Sequence, residues 1–109
     1  MPSTRLHDQV QAFLEHCEID RNLSPGTVRM YAHYLDFFQD WATVEKLTRA
    51  EDIDPEVARR YRLHLHRYVS PTTRRALASG TQSSYLIALR SLLRHLARSG
   101  ADAMSADRI

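Results

Sequence analysis

The last helical stretch of the chain carries the residues best suited to bind a polyanion. Arg90, Arg94 and Arg98 recur every fourth residue, so an α-helix would place them on one face. Arg90 and Arg94 lie opposite the apolar stripe of that helix and should therefore be exposed to solvent. Like charges at this spacing repel, and a phosphate backbone would relieve the repulsion. Four hydrogen-bond donors open the same stretch: Thr81, Gln82, Ser83 and Ser84. The free N–H groups at a helix start attract anions, so this stretch predicts contact with phosphates.

A similar arrangement occurs earlier in the chain, in another helical stretch. Ser24 and Thr27 stand at its start, and Arg29 and His33 follow on its polar side. Ordinary helix capping is sufficient to explain Ser24 by itself. Together with the basic residues that follow, however, the arrangement predicts a second place of contact with DNA.

Residues for catalysis or metal binding do not form a recognisable set. The sequence has no glycine-rich phosphate loop, no Gly-x-Ser-x-Gly elbow and no His-Glu-x-x-His motif. His64 and His66 are two residues apart, so a helix would point them in different directions. A single cysteine, Cys17, excludes a disulfide within the chain. We therefore expect no catalytic residue, no metal site and no cofactor.

Charge is distributed unevenly along the 109 residues, although the net charge is only +2. Met1 to Glu56 holds five basic and eleven acidic residues, whereas Val57 to Ala101 holds nine arginines and no acid. Arginine supplies fourteen of the fifteen Lys and Arg residues, and its planar guanidinium suits phosphate. A solvated surface is the simplest explanation of a charge run, but 45 residues without an acid favour a polyanion partner.

Four segments with helical periodicity must position these residues. They run from about Thr4 to Ile19, Pro25 to Ala42, Pro55 to Tyr68 and Thr81 to Arg98. Ser3 or Thr4 can cap the first helix, Ser-Pro and Asp-Pro pairs mark the next two starts, and Gly100 follows the end of the last. The pattern predicts an all-α bundle of four helices around an aromatic-rich core: Phe13, Tyr31, Phe38, Trp41, Tyr61 and Tyr85.

Two connections and a tail complete the chain. Leu47 and Ile53 are expected to anchor the connection between the second and third helices. The stretch Val69–Gly80 is a long loop that contains Arg74 and Arg75, and it is either an extra DNA contact or a disordered segment. Residues 101–109 resemble a tail or linker. The length suits one domain, and the lack of a long apolar run or signal peptide favours a soluble, cytoplasmic protein without membrane contact.

Two sequence motifs resemble the N-terminal core-binding domain of tyrosine recombinases, the phage-integrase family. The first is LSPGTVRMYAHYLDFF at positions 23–38, which is similar to the start of that family's second helix. The second is GTQSSYLIALRSLLRHL at positions 80–96, which is similar to its last helix. Residues 48–53 resemble the family's connection into the third helix. Each motif is weak alone, but their order and spacing together are specific, and the resemblance covers nearly the whole chain.

The resemblance implies an all-α, four-helix SAM-like bundle of the integrase core-binding type. Such a domain forms half of a C-shaped clamp on double-stranded DNA, with its second and fourth helices facing the duplex. The implied organisation is a core-binding domain over residues 1–100 and the start of an interdomain linker over 101–109, with the catalytic domain absent. The fragment would then bind DNA without cutting it, as a monomer when isolated, and would meet other recombinase protomers on DNA in the full-length protein.

The residues expected to contact DNA combine those named above: Ser24, Thr27, Arg29, His33, Arg74, Arg75, Thr81, Gln82, Ser83, Ser84, Arg90 and Arg94. Two alternatives remain. A protein–protein interaction module would need an exposed apolar groove, for which the sequence shows no spare apolar stripe. A helix-turn-helix transcription regulator would need a short turn between two helices, whereas about twelve residues join the third and fourth.

Overall fold

The computed structural model describes residues 5–100 and 103–109, apart from the Arg108 side chain, and contains four α-helices. They are α1 (Leu6–Glu15), α2 (Pro25–Val44), α3 (Pro55–Arg67) and α4 (Ser79–Arg98). α1 continues directly into a π-helical turn at His16–Asp20, and single 3-10 turns lie at Ala50–Asp52 and Ala106–Arg108. The predicted all-α bundle is therefore confirmed. The suggested caps Ser3 and Thr4 lie outside the described residues.

The helix starts follow the capping signals in two cases and depart from them in one. The Thr27 N–H donates to Ser24 Oγ at 3.2 Å, and the Val57 N–H donates to Asp54 Oδ1 at 2.8 Å. In both helices proline occupies the first turn, where its missing N–H costs nothing. α4 begins two residues earlier than the periodicity indicated, at Ser79. The sequence placed this helix start too far along the chain because no side chain caps the helix.

The core lies where α2 and α4 pack together, with α1 and α3 on their flanks. Phe13, Leu35, Phe38, Tyr61 and Leu89 are fully buried. Cys17 is buried too, and burial raises the pKa of its thiol above the ordinary value. Aromatic rings contact one another edge to face, as in the Phe38–Tyr61 pair with centroids 4.9 Å apart. The predicted aromatic-rich core is thus observed, although Tyr31 is only half-buried at its edge.

A buried glutamine ties the connection between α2 and α3 to α1. The Gln9 side chain is 7% exposed. Its Oε1 accepts from the Ala50 N–H at 2.8 Å, and its Nε2 donates to Glu51 Oε1 at 2.6 Å. Leu6 N–H donates to the Thr48 carbonyl at 2.7 Å in the same region. The connection is therefore held by α1 as well as by its expected anchors, half-buried Leu47 and buried Ile53.

The loop before α4 forms an ordered turn. Val69 and Ala76 make an isolated antiparallel bridge, and the Ser70 N–H donates to the Arg75 carbonyl at 3.0 Å. The Arg74 N–H donates to the Ser70 carbonyl at 2.8 Å, with Arg74 at a φ of +58°. The sequence left open whether this loop is disordered or contacts DNA, and the structure shows an ordered turn. Contact with DNA stays a prediction.

The C-terminal segment folds back onto α4. Residues 103–109 bury Ala106 and half-bury Met104 and Ile109. The guanidinium of Arg90 donates to the Ile109 carbonyl at 3.4 Å. This segment was expected to be a tail or linker, and its apolar residues explain why it packs. That it leads into an interdomain linker stays a prediction. None of the described helices is both long and apolar enough to span a membrane.

Candidate nucleic-acid interface

α2 and α4 contact each other beside one predicted DNA-contact position, His33. His33 Nε2 of α2 lies 3.5 Å from the Tyr85 hydroxyl of α4, and the Tyr34 and Tyr85 rings are 4.7 Å apart. His33 is exposed, whereas Tyr85 is buried. The middle of α2 therefore meets the first turns of α4.

The start of α2 presents a small polar group. Ser24 Oγ and Thr27 Oγ1 are 2.9 Å apart, so each hydroxyl already has a partner and keeps capacity for a further one. Arg29 is exposed, and its Nη2 lies 3.9 Å from the position of a Cβ at Gly26. The guanidinium thus lies back over the first turn of its helix.

The start of α4 is more open than its polar side chains suggested. Gln82 Nε2 donates to the Leu77 carbonyl at 2.9 Å, and Ser84 Oγ donates to the Gly80 carbonyl at 3.2 Å. These two side chains therefore bind backbone, whereas Thr81 and Ser83 are exposed. The Gln82 N–H makes the first helical bond, to the Ala78 carbonyl, which leaves the preceding N–H groups without a helical acceptor.

The two arginines expected to be solvent-exposed on α4 differ from each other. Arg94 is exposed, but Arg90 is only partly so. The expectation for Arg90 was wrong because residues 103–109 cover that side of α4 and the Ile109 carbonyl accepts its hydrogen bond. Periodicity within α4 could not reveal this contact, because it comes from a segment outside the helix. Arg74 and Arg75 lie apart from both, exposed in the turn before α4.

Arg94 instead belongs to a basic pocket between α1 and α4, which we name the α1–α4 pocket. Its cavity measures about 240 Å³. Seven residues line it: Phe13, His16, Arg21, Ser91, Arg94, His95 and Arg98. Arg94 was predicted from the sequence, and Arg98 was recognised on the same face. Arg21, His16 and His95 were missed because no sequence signal links positions about 75 residues apart.

Ion pairs neutralise only some of the arginines. Within residues 5–100 and 103–109, Glu56 pairs with Arg59 at 2.9 Å and Glu45 pairs with Arg60 at 3.1 Å. Asp52 lies 3.7 Å from Arg49. In the same described ranges, no acidic group lies within 4.0 Å of the predicted DNA-contact arginines, which are Arg29, Arg74, Arg75, Arg90 and Arg94. Their positive charge is therefore available to a ligand. The same part of the chain holds no group of three metal-binding side chains.

Comparison with known proteins agrees with this architecture. The family model described as "Phage integrase, N-terminal SAM-like domain" matches residues 10–100. A tyrosine recombinase XerC of Pelobacter propionicus is 35% identical over 97 residues, which cover 87% of this chain and 30% of that protein. A tyrosine recombinase XerC of Roseiflexus sp. is 33% identical over 76 residues, 68% of this chain and 24% of that protein.

The chain thus spans less than a third of the length of the curated relatives it matches. No solved structure matches it at a significant level. The family match covers all but the first nine and last nine residues, and the predicted resemblance is confirmed. The chain therefore belongs to the family of N-terminal SAM-like domains of phage integrases, the non-catalytic N-terminal part of tyrosine recombinases.

Proposed function

We propose that this domain binds duplex DNA and positions a tyrosine recombinase on it. The observation that carries the proposal is a set of exposed arginines that have no acidic partner within residues 5–100 and 103–109: Arg29, Arg74, Arg75 and Arg94. An exposed arginine side chain without an ion pair is available to a phosphate oxygen at no cost in broken contacts. The uncapped start of α4 supplies N–H donors for the same ligand.

The apposition of α2 and α4 supports their common use. The exposed His33 of α2 contacts Tyr85 in the first turns of α4, and Arg29 lies one turn before His33 on α2. Phosphate contacts fix the orientation of a protein on DNA without reading its sequence. The domain would act as one arm of a clamp, while cutting and rejoining would belong to a catalytic domain of the full-length recombinase, whose protomers would assemble on the same DNA.

The test is to titrate the isolated domain with two unrelated duplexes at several salt concentrations. Nonspecific binding of this kind has a Kd of about 10⁻⁴–10⁻⁶ M at physiological salt. Arg29→Ala should weaken binding to both duplexes and lower the log–log salt slope by about one. Arg59→Ala is the matched control, because Glu56 already neutralises that exposed arginine. Absence of binding at low salt, or equal losses in the two variants, would contradict the proposal. Covalent protein–DNA adducts on nicked duplexes would contradict the assignment of cleavage to another domain.

A second candidate function, contact with another protein, is favoured by one groove. Phe37, Trp41, Val44, His64 and Tyr68 line a depression between α2 and α3, where Val44 is 77% exposed. The sequence showed no spare apolar stripe, because these side chains come from two helices. Substitution of Val44 by aspartate separates the functions, since it should disturb self-association or partner binding while leaving DNA affinity unchanged.

A further inference from the structure

The α1–α4 pocket has the shape and the donors of an anion site. Arg94 and Arg98 approach it from one helix, and Arg21 approaches it from the turn that follows α1. The half-buried Ser91 adds a hydroxyl between them. The cavity of about 240 Å³ is far larger than the space that one water needs, so it has room for a phosphate group.

Three guanidinium groups around one cavity repel one another unless an anion enters. Asp20 is occupied by the pocket residue His16, with its carboxylate 3.0 Å from His16 Nδ1. Asp107 of the C-terminal segment borders a neighbouring depression with Arg94 and Arg98, but no ion pair within 4.0 Å joins it to either arginine in the described part of the chain. The pocket therefore keeps a strong positive potential.

Two histidine rings in tilted contact form one wall of the pocket. The rings of His16 and His95 have centroids 4.7 Å apart and an interplanar angle of 33°, and the Phe13 ring lies 5.6 Å from His95. Burial lowers the pKa of His95 below its ordinary value, and the nearby His16 and Arg98 lower the pKa further against the opposite effect of Asp20. The free domain therefore favours the neutral form of His95.

Within residues 5–100 and 103–109, the groups that face His95 come from three segments. α1 and its extension contribute His16, the buried Cys17 beside Arg21, and Asp20. α4 contributes Arg94 and Arg98, and the C-terminal segment brings Asp107 to the outer side of those arginines. Among these described groups the positive ones outnumber the negative ones, so protonation of His95 is opposed until a negative ligand arrives.

We propose that the α1–α4 pocket seats one phosphate of the DNA backbone and that His95 takes up a proton as the phosphate enters. The proposal rests on the proposed DNA-binding function and names one site and one regulator for it. A phosphate charge beside the His95 ring favours its protonated form, so binding and proton uptake reinforce each other. DNA affinity then rises as the pH falls from 8 towards 5.5.

Phosphate binding in the α1–α4 pocket is tested by substituting one of its arginines in the isolated domain. Arg98→Ala should weaken binding to unrelated duplexes and lower the salt slope by about one. Arg67→Ala removes an equally exposed arginine from the outer face of α3 and serves as the control for net charge. The α1–α4 pocket is not a phosphate site if the two substitutions have equal effects. The same conclusion follows if Arg98→Ala has no effect while Arg29→Ala still weakens binding. Either result would leave the DNA-binding function intact. Loss of DNA binding by the wild-type domain itself would instead overturn that function.

Proton uptake on DNA binding is tested by measuring the DNA affinity between pH 5.5 and pH 8 at constant salt. Each unit by which DNA raises the histidine pKa strengthens binding at low pH by a factor of about ten. His95→Gln should flatten the profile, and His95→Asn gives a second test if the first variant folds poorly. His66→Gln is the control, since His66 is exposed on α3 and lies outside the pocket. A wild-type profile without pH dependence, or one flattened equally by His66→Gln, would overturn the role of His95.

Proton NMR of the His95 ring distinguishes the two possible sources of phosphate. A short duplex should raise the His95 pKa at concentrations that match its Kd. If inorganic phosphate raises the His95 pKa and the duplex does not, the pocket binds free anions and its assignment to DNA is wrong. If neither ligand changes the pKa, the pocket is not a phosphate site.

Discussion

Replacing Gln9 by methionine should unfold the domain at a lower temperature, although the substitution keeps the volume of the side chain. Gln9 Oε1 accepts from the Ala50 N–H in a buried environment, and methionine cannot replace that acceptor. The Ala50 N–H would remain buried without a partner, since Ala50 is fully buried. A buried donor left unpaired costs about 1–3 kcal/mol.

The second hydrogen bond of Gln9 adds less to the expected loss. Glu51 is only half-buried, so its carboxylate can turn to water when the amide is removed. Taking 2 kcal/mol as the middle of the range, the melting temperature should fall by about 8–16 °C for a domain of this size. The loss should appear mainly in the denaturant midpoint and little in the slope, because the folded surface is nearly unchanged.

The assay is thermal and urea unfolding followed by circular dichroism at 222 nm. Gln11→Met is the matched control, because Gln11 is exposed on the same helix, and surface changes usually stay within about 0.5 kcal/mol. If Gln9→Met has the same melting temperature as Gln11→Met, the hydrogen bond from Ala50 to Gln9 does not stabilise the connection between α2 and α3. An exposed, flexible connection would then be expected to exchange its Ala50 amide hydrogen rapidly.

Three further predictions concern α4 and His64. Leu89→Ala should cost about 2–5 kcal/mol in urea unfolding, since Leu89 is fully buried, and an unchanged midpoint would contradict the register of α4. Arg90→Ala should lower the free energy of unfolding by about 0.5 kcal/mol or slightly more, because it removes the hydrogen bond to the Ile109 carbonyl. Arg94→Ala should leave the melting temperature unchanged. A larger loss in Arg94→Ala than in Arg90→Ala would show that the C-terminal segment does not pack against Arg90. Burial lowers the pKa of His64 against the opposing effect of Glu45, so the unfolded chain binds the proton more readily and stability should fall as pH drops below about 6.5. His64→Gln should reduce this acid loss in unfolding measured from pH 7.5 to pH 5, and an identical profile would refute it.

Sequence periodicity predicted the helices because the spacing of apolar residues within each helix already marks its buried face. The spacing of Leu35, Phe38 and Ala42 places an apolar stripe on α2, and the structure buries all three. The capping residues Ser24 and Asp54 also act within their own turns. Ala78 illustrates the limit of such signals, because it precedes α4 without any side-chain cap and the helix start was therefore placed too late.

Contacts between distant segments were the part that the sequence could not supply. Gln9 reads as one more polar residue of α1, yet its partner Ala50 is 41 residues away. Arg90 reads as an exposed member of a basic stripe, yet its carbonyl partner at Ile109 belongs to a segment that looked like a free tail. In both cases a polar side chain acquires its role only when a second segment packs beside it.

The division of charge along the sequence concealed the α1–α4 pocket for the same reason. Arg21 belongs to the acidic half of the chain, where its neighbour Asp20 makes a basic site look improbable. The fold directs Asp20 to His16 and places Arg21 with Arg94 and Arg98. Net charge over a stretch of sequence therefore predicts the class of ligand, whereas the position of the ligand depends on which single charges the packing of α1 against α4 brings together.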